Sequence, residues 1–203
     1  MVEKEGRVKD LEEKLKKGEI TTKEGYEELK KRKLLEKEKW EIIPWVIYII
    51  LWVPFNIMFR DQLPKFRFPL YIIYISIIIS VLGVSLAIWS TRMHYKKGGL
   101  KHDETVILIR DGPYSVMRHP GMGFMILFFL LPIILSEFIA FTPLSVVAII
   151  VMIVSSYWGV LLEERKLDIP KWGNEYHQYM KEVPRFNFIK GYINLKKRKK
   201  LVN

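Results

Sequence analysis

Residues 68–91 read FPLYIIYISIIISVLGVSLAIWST, 24 positions without a single charge. A helix rises about 1.5 Å per residue, so a helix of this length reaches across the ~30 Å apolar core of a bilayer. Outward from it lie three more uncharged stretches, 42–59, 120–136 and 138–162, of 18, 17 and 25 residues. A transmembrane helix needs roughly 20 apolar residues. The stretches 68–91 and 138–162 meet that length, and the other two sit at its lower edge. A buried helix of a soluble protein is the alternative, but such helices rarely go this far without charge. Aromatic residues cluster at the ends, with Trp40, Trp45 and Trp52 around the first stretch and Tyr157 and Trp158 near the end of the last. Such rings suit the headgroup boundary. The expected fold is all-α, a polytopic membrane protein with about four transmembrane helices.

The basic residues set the expected orientation. Of 33 Lys and Arg, 13 precede the first stretch, 6 lie in the 92–119 loop and 11 follow residue 162, against 3 in the 60–67 loop. With four crossings the three large groups share one face, which the positive-inside rule makes cytoplasmic. Both termini are then cytoplasmic. The first 40 residues are charged and lack the apolar core of a cleavable signal.

Composition excludes some chemistry. There is no cysteine, so thiolate catalysis and thiolate metal sites are absent. The histidines, His94, His102, His119 and His177, show no metal-ligand spacing, and no metal is expected. The net charge of +11 invites a nucleic-acid reading. A basic face against anionic lipid headgroups accounts for it more simply, and no nucleic-acid partner is expected. The run Lys196-Lys197-Arg198-Lys199-Lys200 reads as a contact with such a surface.

Along the chain, residues 1–40 form one expected domain. Val8, Leu11 and Leu15 recur at helical spacing, Gly18 stops the helix, and Thr21 or Thr22 caps a second helix running through Tyr26, Leu29 and Leu34–Leu35. The stretch LEEKLKKGEITTKEGYEELKKRKLLEKE resembles the short helical hairpin called SHOCT, a module usually appended to other domains. Residues 41–190 form the membrane domain and 191–203 a basic tail. In the membrane domain the two later stretches make a hairpin about Ser136–Pro143. Beyond it, Pro170 starts or breaks a turn, and Trp172, Tyr176 and Tyr179 share one helical face. That face should pack back onto the mouth of the hairpin, since three exposed aromatics are otherwise a liability.

Three polar clusters flank that hairpin: Gly112 to Pro120 before it, Glu163-Glu164-Arg165 after it, and Gly173 to Tyr176 with Val183-Pro184-Arg185 further on. The hairpin should return His119 and Glu163 to the same membrane boundary. Ionisable groups there are expensive, and their convergence suggests a site. Basic residues anchoring helix ends to lipid phosphates are an equal alternative from physics alone.

The ordered set RDGPYSVMRHP, an apolar hairpin, then EERKLDIPKWGNEYHQYMKEVPRF closely resembles the isoprenylcysteine carboxyl methyltransferase and phospholipid methyltransferase superfamily, over roughly residues 83–187. The resemblance implies a small membrane enzyme without a Rossmann domain, with a cytoplasmic pocket for S-adenosylmethionine, S-adenosylhomocysteine as product, and a lipidic acceptor arriving from the bilayer. By the same resemblance Val106, Ile107, Leu108 and Ile109 would line the adenosyl pocket. Tyr114 and Tyr176 would pack on the cofactor, and His119, Pro120, Gly121 and Met122 would form its edge. Glu163 would accept hydrogen bonds from it, and Arg118 and Glu164 would be catalytic. Two positions depart from the family pattern. Met122 stands where relatives have Tyr, and Gly159 stands where those that methylate carboxylates have Arg. The acceptor is thus an isoprenylcysteine-like carboxylate or a phospholipid amine. Two other functions fit the same residues, a membrane reductase using NADPH and a catalytically inactive scaffold.

Overall fold

A computed structural model describes residues 6–35, 42–100 and 105–202. The described residues are helical apart from turns and loops, with an isolated bridge between Phe66 and Phe141 and no strand among them. They divide into two compact units.

The first unit gathers three pieces of chain, up to residue 37, Ala87–Gly121 and Leu161 onward. Helices α1 (Lys9–Lys17) and α2 (Thr22–Lys31) form the expected hairpin. Gly18, at φ 72°, ends α1. Thr21 opens α2 with a reciprocal capping box: its hydroxyl accepts from Glu24 N–H while the Glu24 carboxylate accepts from Thr21 N–H. The second helix stops at Lys31 and does not reach Leu34–Leu35 as its periodicity suggested. Lys33 turns to φ 56°, Leu34 N–H donates to Leu29 O at 3.0 Å, and Leu34 folds back beside Leu29. This is a Schellman-type ending, in which burial of Leu34 outweighs one more helical turn. Residues 36–40, including Trp40, lie outside the described residues.

The apolar stripe of the hairpin, Val8, Leu11, Leu29 and Leu34, shares a core with Leu100 and Val106. Backbone bonds tie its start to a later piece of chain, Arg7 N–H to Pro170 O at 2.9 Å and Val8 N–H to Lys171 O at 3.2 Å. In that piece a π turn (Glu164–Asp168) leads into α8 (Ile169–Trp172), followed by α9 (Asn174–Glu182) and α10 (Phe188–Val202). Ile169 N–H reaches Glu164 O, five residues back. Pro170 supplies the cause. Its ring has no N–H to donate and would press on the carbonyl of residue 166 in a regular helix, and the wider turn accommodates it.

The second unit holds residues 38–86 and 122–160. It contains α3 (Ile42–Trp52), α4 (Pro54–Met58) and α6 (Gly123–Ile134). It also contains most of α5 (Leu70–Lys97) and α7 (Pro143–Glu163), whose last residues belong to the first unit. Tyr48, Trp52, Ala148 and Met152 form its core with Met125, Phe129 and Leu135. The backbones of Gly83 and Gly123 meet directly, an approach that any Cβ would block.

Of the four apolar stretches, two form helices long and apolar enough to cross a membrane, Leu70–Lys97 and the continuous helical run Pro143–Trp172. Ile42–Met58 and Pro120–Ile134 are shorter. Pro54 interrupts the first of these, and the side-chain amide of Asn56 takes up the Leu51 and Trp52 carbonyls at that break, at 3.2 and 2.7 Å.

Candidate functional site

The sequence motifs meet in the first unit at the carboxylate of Glu164. Arg118 Nε donates to Glu164 Oε1 at 2.9 Å across 46 residues of chain, and His119 Nε2 lies 3.0 Å from the same oxygen. A carboxylate only accepts, so in this contact Nε2 is the donor. Arg185 Nε and Nη2 both reach Oε2, at 3.0 and 2.5 Å. Arg118 also donates through Nη1 to Met180 O and Val183 O, at 3.1 and 2.7 Å. Backbone bonds lay the two segments side by side, Arg118 N–H to Pro184 O and His119 N–H to Arg185 O. The Arg-His-Pro and Val-Pro-Arg motifs are therefore fastened to each other and to one glutamate.

Glu164 is 1% exposed. Burial alone raises the pKa of a carboxyl, but donors from His119, Arg185 and Arg118 outweigh it and hold this one well below the ordinary range. Both of its oxygens are engaged by the protein's own donors. Glu163 has the opposite setting: its side chain is 31% exposed and its Oε2 lies 3.7 Å from His119 Nδ1. His119 and Glu163 thus come together as the hairpin geometry required.

Arg185, in the third polar cluster, joins the other two at the Glu164 carboxylate, two residues after Val183, which is extended and buried beside Tyr176 and Tyr179.

Tyr176 and Tyr179 of α9 pack inward as their spacing suggested, but Gly173, at φ 54°, separates the helices and leaves Trp172 on α8. Tyr176 and Tyr179 are buried with Leu108, Ile169 and Trp172, and Tyr179 Oη donates to Tyr114 O at 2.7 Å. Tyr176 Oη donates to Asp168 Oδ2 at 2.8 Å. Burial pushes the Asp168 carboxyl up, against the pull of His119, the Tyr176 hydroxyl and Lys171. Burial, reinforced by Asp168 and Glu164, pushes the Tyr176 hydroxyl up as well, and it stays a donor at neutral pH. Tyr114 stacks on His94, 5.2 Å between ring centres, and its hydroxyl lies 2.6 Å from His94 Nε2.

Residues 106–109 divide between two packing environments. Val106 is fully buried in the hairpin core and its carbonyl accepts Trp172 Nε1–H at 3.0 Å. Ile107 packs against the hairpin core, Leu108 faces the tyrosines of α9, and Ile109 is buried. Pro120 and Met122 lie in a 3-10 turn that leads into α6, with Pro120 buried and Gly121 exposed. Gly159 sits exposed on α7, and a Cβ there would meet open space. Among the described residues no group of His, Asp and Glu could hold a metal ion.

Sequence reasoning missed His94 and Asp168. The spacing of Asp168 from Glu164, four residues along one helix, was a usable signal. His94 had none, since its partner lies across a loop. Compared with family models, curated proteins and solved structures, the chain matches none.

Proposed function

We propose that this chain is an integral membrane methyltransferase that takes S-adenosylmethionine and methylates a lipidic acceptor. The observation that carries the reading is the gathering of Arg118, His119, Glu164 and Arg185 into one buried cluster, with Glu163 at its edge. These residues come from three separate motifs of the resembled superfamily, in its order. Membrane insertion is supported by the two long apolar helices, of whose most apolar windows only 28% and 22% is buried within the protein. A soluble protein would cover such faces. In this proposal α3–α4 and α6 are shorter spans, and both termini lie in the cytoplasm.

When bound, the cofactor supplies an electrophilic methyl on a sulfonium. The acceptor's lone pair forms the new bond as the carbon–sulfur bond breaks, and an amine acceptor then loses a proton while a carboxylate has none to lose. The residues at the cluster fit such a group at one edge, because the partly exposed Glu163 carboxylate complements a cation. Glu164 holds Arg118, His119 and Arg185 in fixed positions beneath that edge, so methyl transfer relies on alignment.

Calorimetric titration of the purified protein with S-adenosylhomocysteine and with NADPH tests the reading. Binding of the first and not the second is expected, and the converse makes the chain a reductase. One observation favours a second reading, an inactive membrane scaffold: Glu164 is satisfied entirely by the protein's own groups. Binding of neither compound would select it.

A further inference from the structure

Helix α10 has two faces of different kinds. One is seated on the site-bearing segment. Gly191 lies against the backbone of Val116, where any side chain would collide with the Val116 carbonyl. Asn194 Nδ2 donates to Glu182 O at 3.0 Å, and Arg198 donates to Ser115 O at 2.7 Å and to Glu182 Oε2 at 3.1 Å. Residues 191, 194 and 198 follow one another at helical spacing, so this face is fixed.

The other face is bare. Phe188, Ile189, Tyr192 and Ile193 are all exposed, Ile189 to 72%. Lys196, Lys197, Lys199 and Lys200 follow them, also exposed. Residues 188–203 contain six basic side chains and no acidic one. The separation runs along the helix axis, apolar in the first half and basic in the second. Lys196 Nζ lies 4.9 Å from the centre of the Tyr192 ring, at the junction of the halves.

Each half alone has several matching partners, but the two together match few. An acidic protein or a nucleic acid would satisfy the lysines and leave Phe188, Ile189 and Ile193 in contact with polar groups. The surface of an anionic bilayer accepts both. Apolar side chains enter the headgroup boundary while lysines extend to the phosphates.

We infer that α10 is a membrane-surface helix whose exposed face docks on anionic lipid, holding the Ser115–Val116 turn on its opposite face. The inference rests on the membrane reading above. It goes beyond it in assigning a lipid-charge requirement to a defined helix, and a route to the site through Gly191 and Arg198. The turn it holds runs directly into Arg118 and His119, so the lipid composition around the protein bears on the segment that the buried glutamate fastens.

The absence of cysteine makes a single-site probe straightforward. The full chain carrying Ile193→Cys, labelled with an environment-sensitive dye, is reconstituted into nanodiscs of phosphatidylcholine alone or with phosphatidylglycerol. Co-elution with the discs reports insertion, and quenching by nitroxide-bearing lipid reports docking of α10. In the phosphatidylglycerol discs the dye should be quenched and its emission blue-shifted. The docked-to-undocked ratio should fall at least about fivefold in phosphatidylcholine, the share of roughly one lysine. High salt should have the same effect. Replacing Lys196, Lys197, Lys199 and Lys200 together by Gln should remove the difference between the two lipids. Equal quenching in both lipids overturns the charge requirement. Insertion with an unquenched dye in both overturns the docking alone, leaving the membrane reading intact. A chain that never enters the discs overturns both.

Discussion

Two buried polar hubs hold this protein's chain together, one in each compact unit, and they use opposite chemistry. In the first unit Glu164 gathers Arg118, His119 and Arg185 with a negative charge. In the second, Asn56 gathers Leu51, Trp52, Thr142 and Ser145 with a neutral amide. Its Nδ2 donates to the two carbonyls and to Ser145 Oγ, while its Oδ1 accepts the Thr142 hydroxyl. Both residues are 1% exposed or less. The difference follows the surroundings. A neutral amide with every group paired costs little among apolar helices. A buried carboxylate survives only where cations can be brought to it, and the first unit, rich in basic residues, supplies them. The charged hub is therefore the costlier to break, since removing one partner strands the others.

The largest effect should come from Glu164→Gln. It preserves size but leaves Arg118 and Arg185 without a counter-charge. Breaking a buried ion pair this way costs about 3–5 kcal/mol. For a chain of this length that is a fall in Tm on the order of 10 °C, read by thermal unfolding in detergent. An unchanged Tm would show that the cluster adds nothing to stability. The pH dependence sharpens the same point. The Glu164 carboxyl titrates lower in the folded protein than when unfolded, so its contribution is complete above the ordinary carboxylate pKa and disappears as pH falls through the folded value. The gap in stability between wild type and Glu164→Gln should narrow on acidification. A constant gap would mean that the loss comes from packing.

The neutral hub should show a smaller effect without this acid dependence. Asn56→Ala removes the acceptor of the Thr142 hydroxyl and the side-chain donor to Ser145 Oγ and to the carbonyls at the Pro54 break. Leaving such groups unpaired costs about 1–3 kcal/mol. A loss equal to that of Glu164→Gln would erase the distinction between the hubs.

These hubs also mark where sequence reading stopped. Uncharged runs reveal helices because the absence of charge over many residues is a local property. That is why 68–91 and 138–162 appear as the two long helices. The nearness of Glu163 to His119 was legible too, because a hairpin has only one way to return. The sharing of the Glu164 carboxylate by Arg185 was not, since it depends on how Val183 packs under the tyrosines, and no periodicity encodes that. The π turn was half legible, with Pro170 announcing an irregularity without saying that the helix would widen and continue. The burial of Val106 depended on where the hairpin docks, through backbone bonds to Pro170 and Lys171 that carry no side-chain signature. The basic tail illustrates the opposite limit. Its charge was plain, while the helix begins at Phe188, before the charge does.

The smallest effect on stability is expected one residue before the charged hub. Glu163 has the same chemistry as Glu164, but it keeps 31% of its side chain exposed and stands beyond hydrogen-bond distance of His119 Nδ1, at 3.7 Å. Glu163→Gln therefore removes a charge that water already solvates in part, and its cost should stay within about 1 kcal/mol, the range of partly exposed ion pairs. Under the proposed function the same substitution acts elsewhere. The carboxylate is the group at the cluster's edge placed to complement a cationic cofactor, and a charge-assisted hydrogen bond contributes roughly 1.5–3 kcal/mol. Affinity for S-adenosylhomocysteine should then fall about ten- to a hundredfold, with Tm almost unchanged. Measuring both on one purified variant separates a binding role from a fastening one. If Tm falls as for Glu164→Gln while affinity holds in the folded protein, the two carboxylates are equivalent and Glu163 leaves the site.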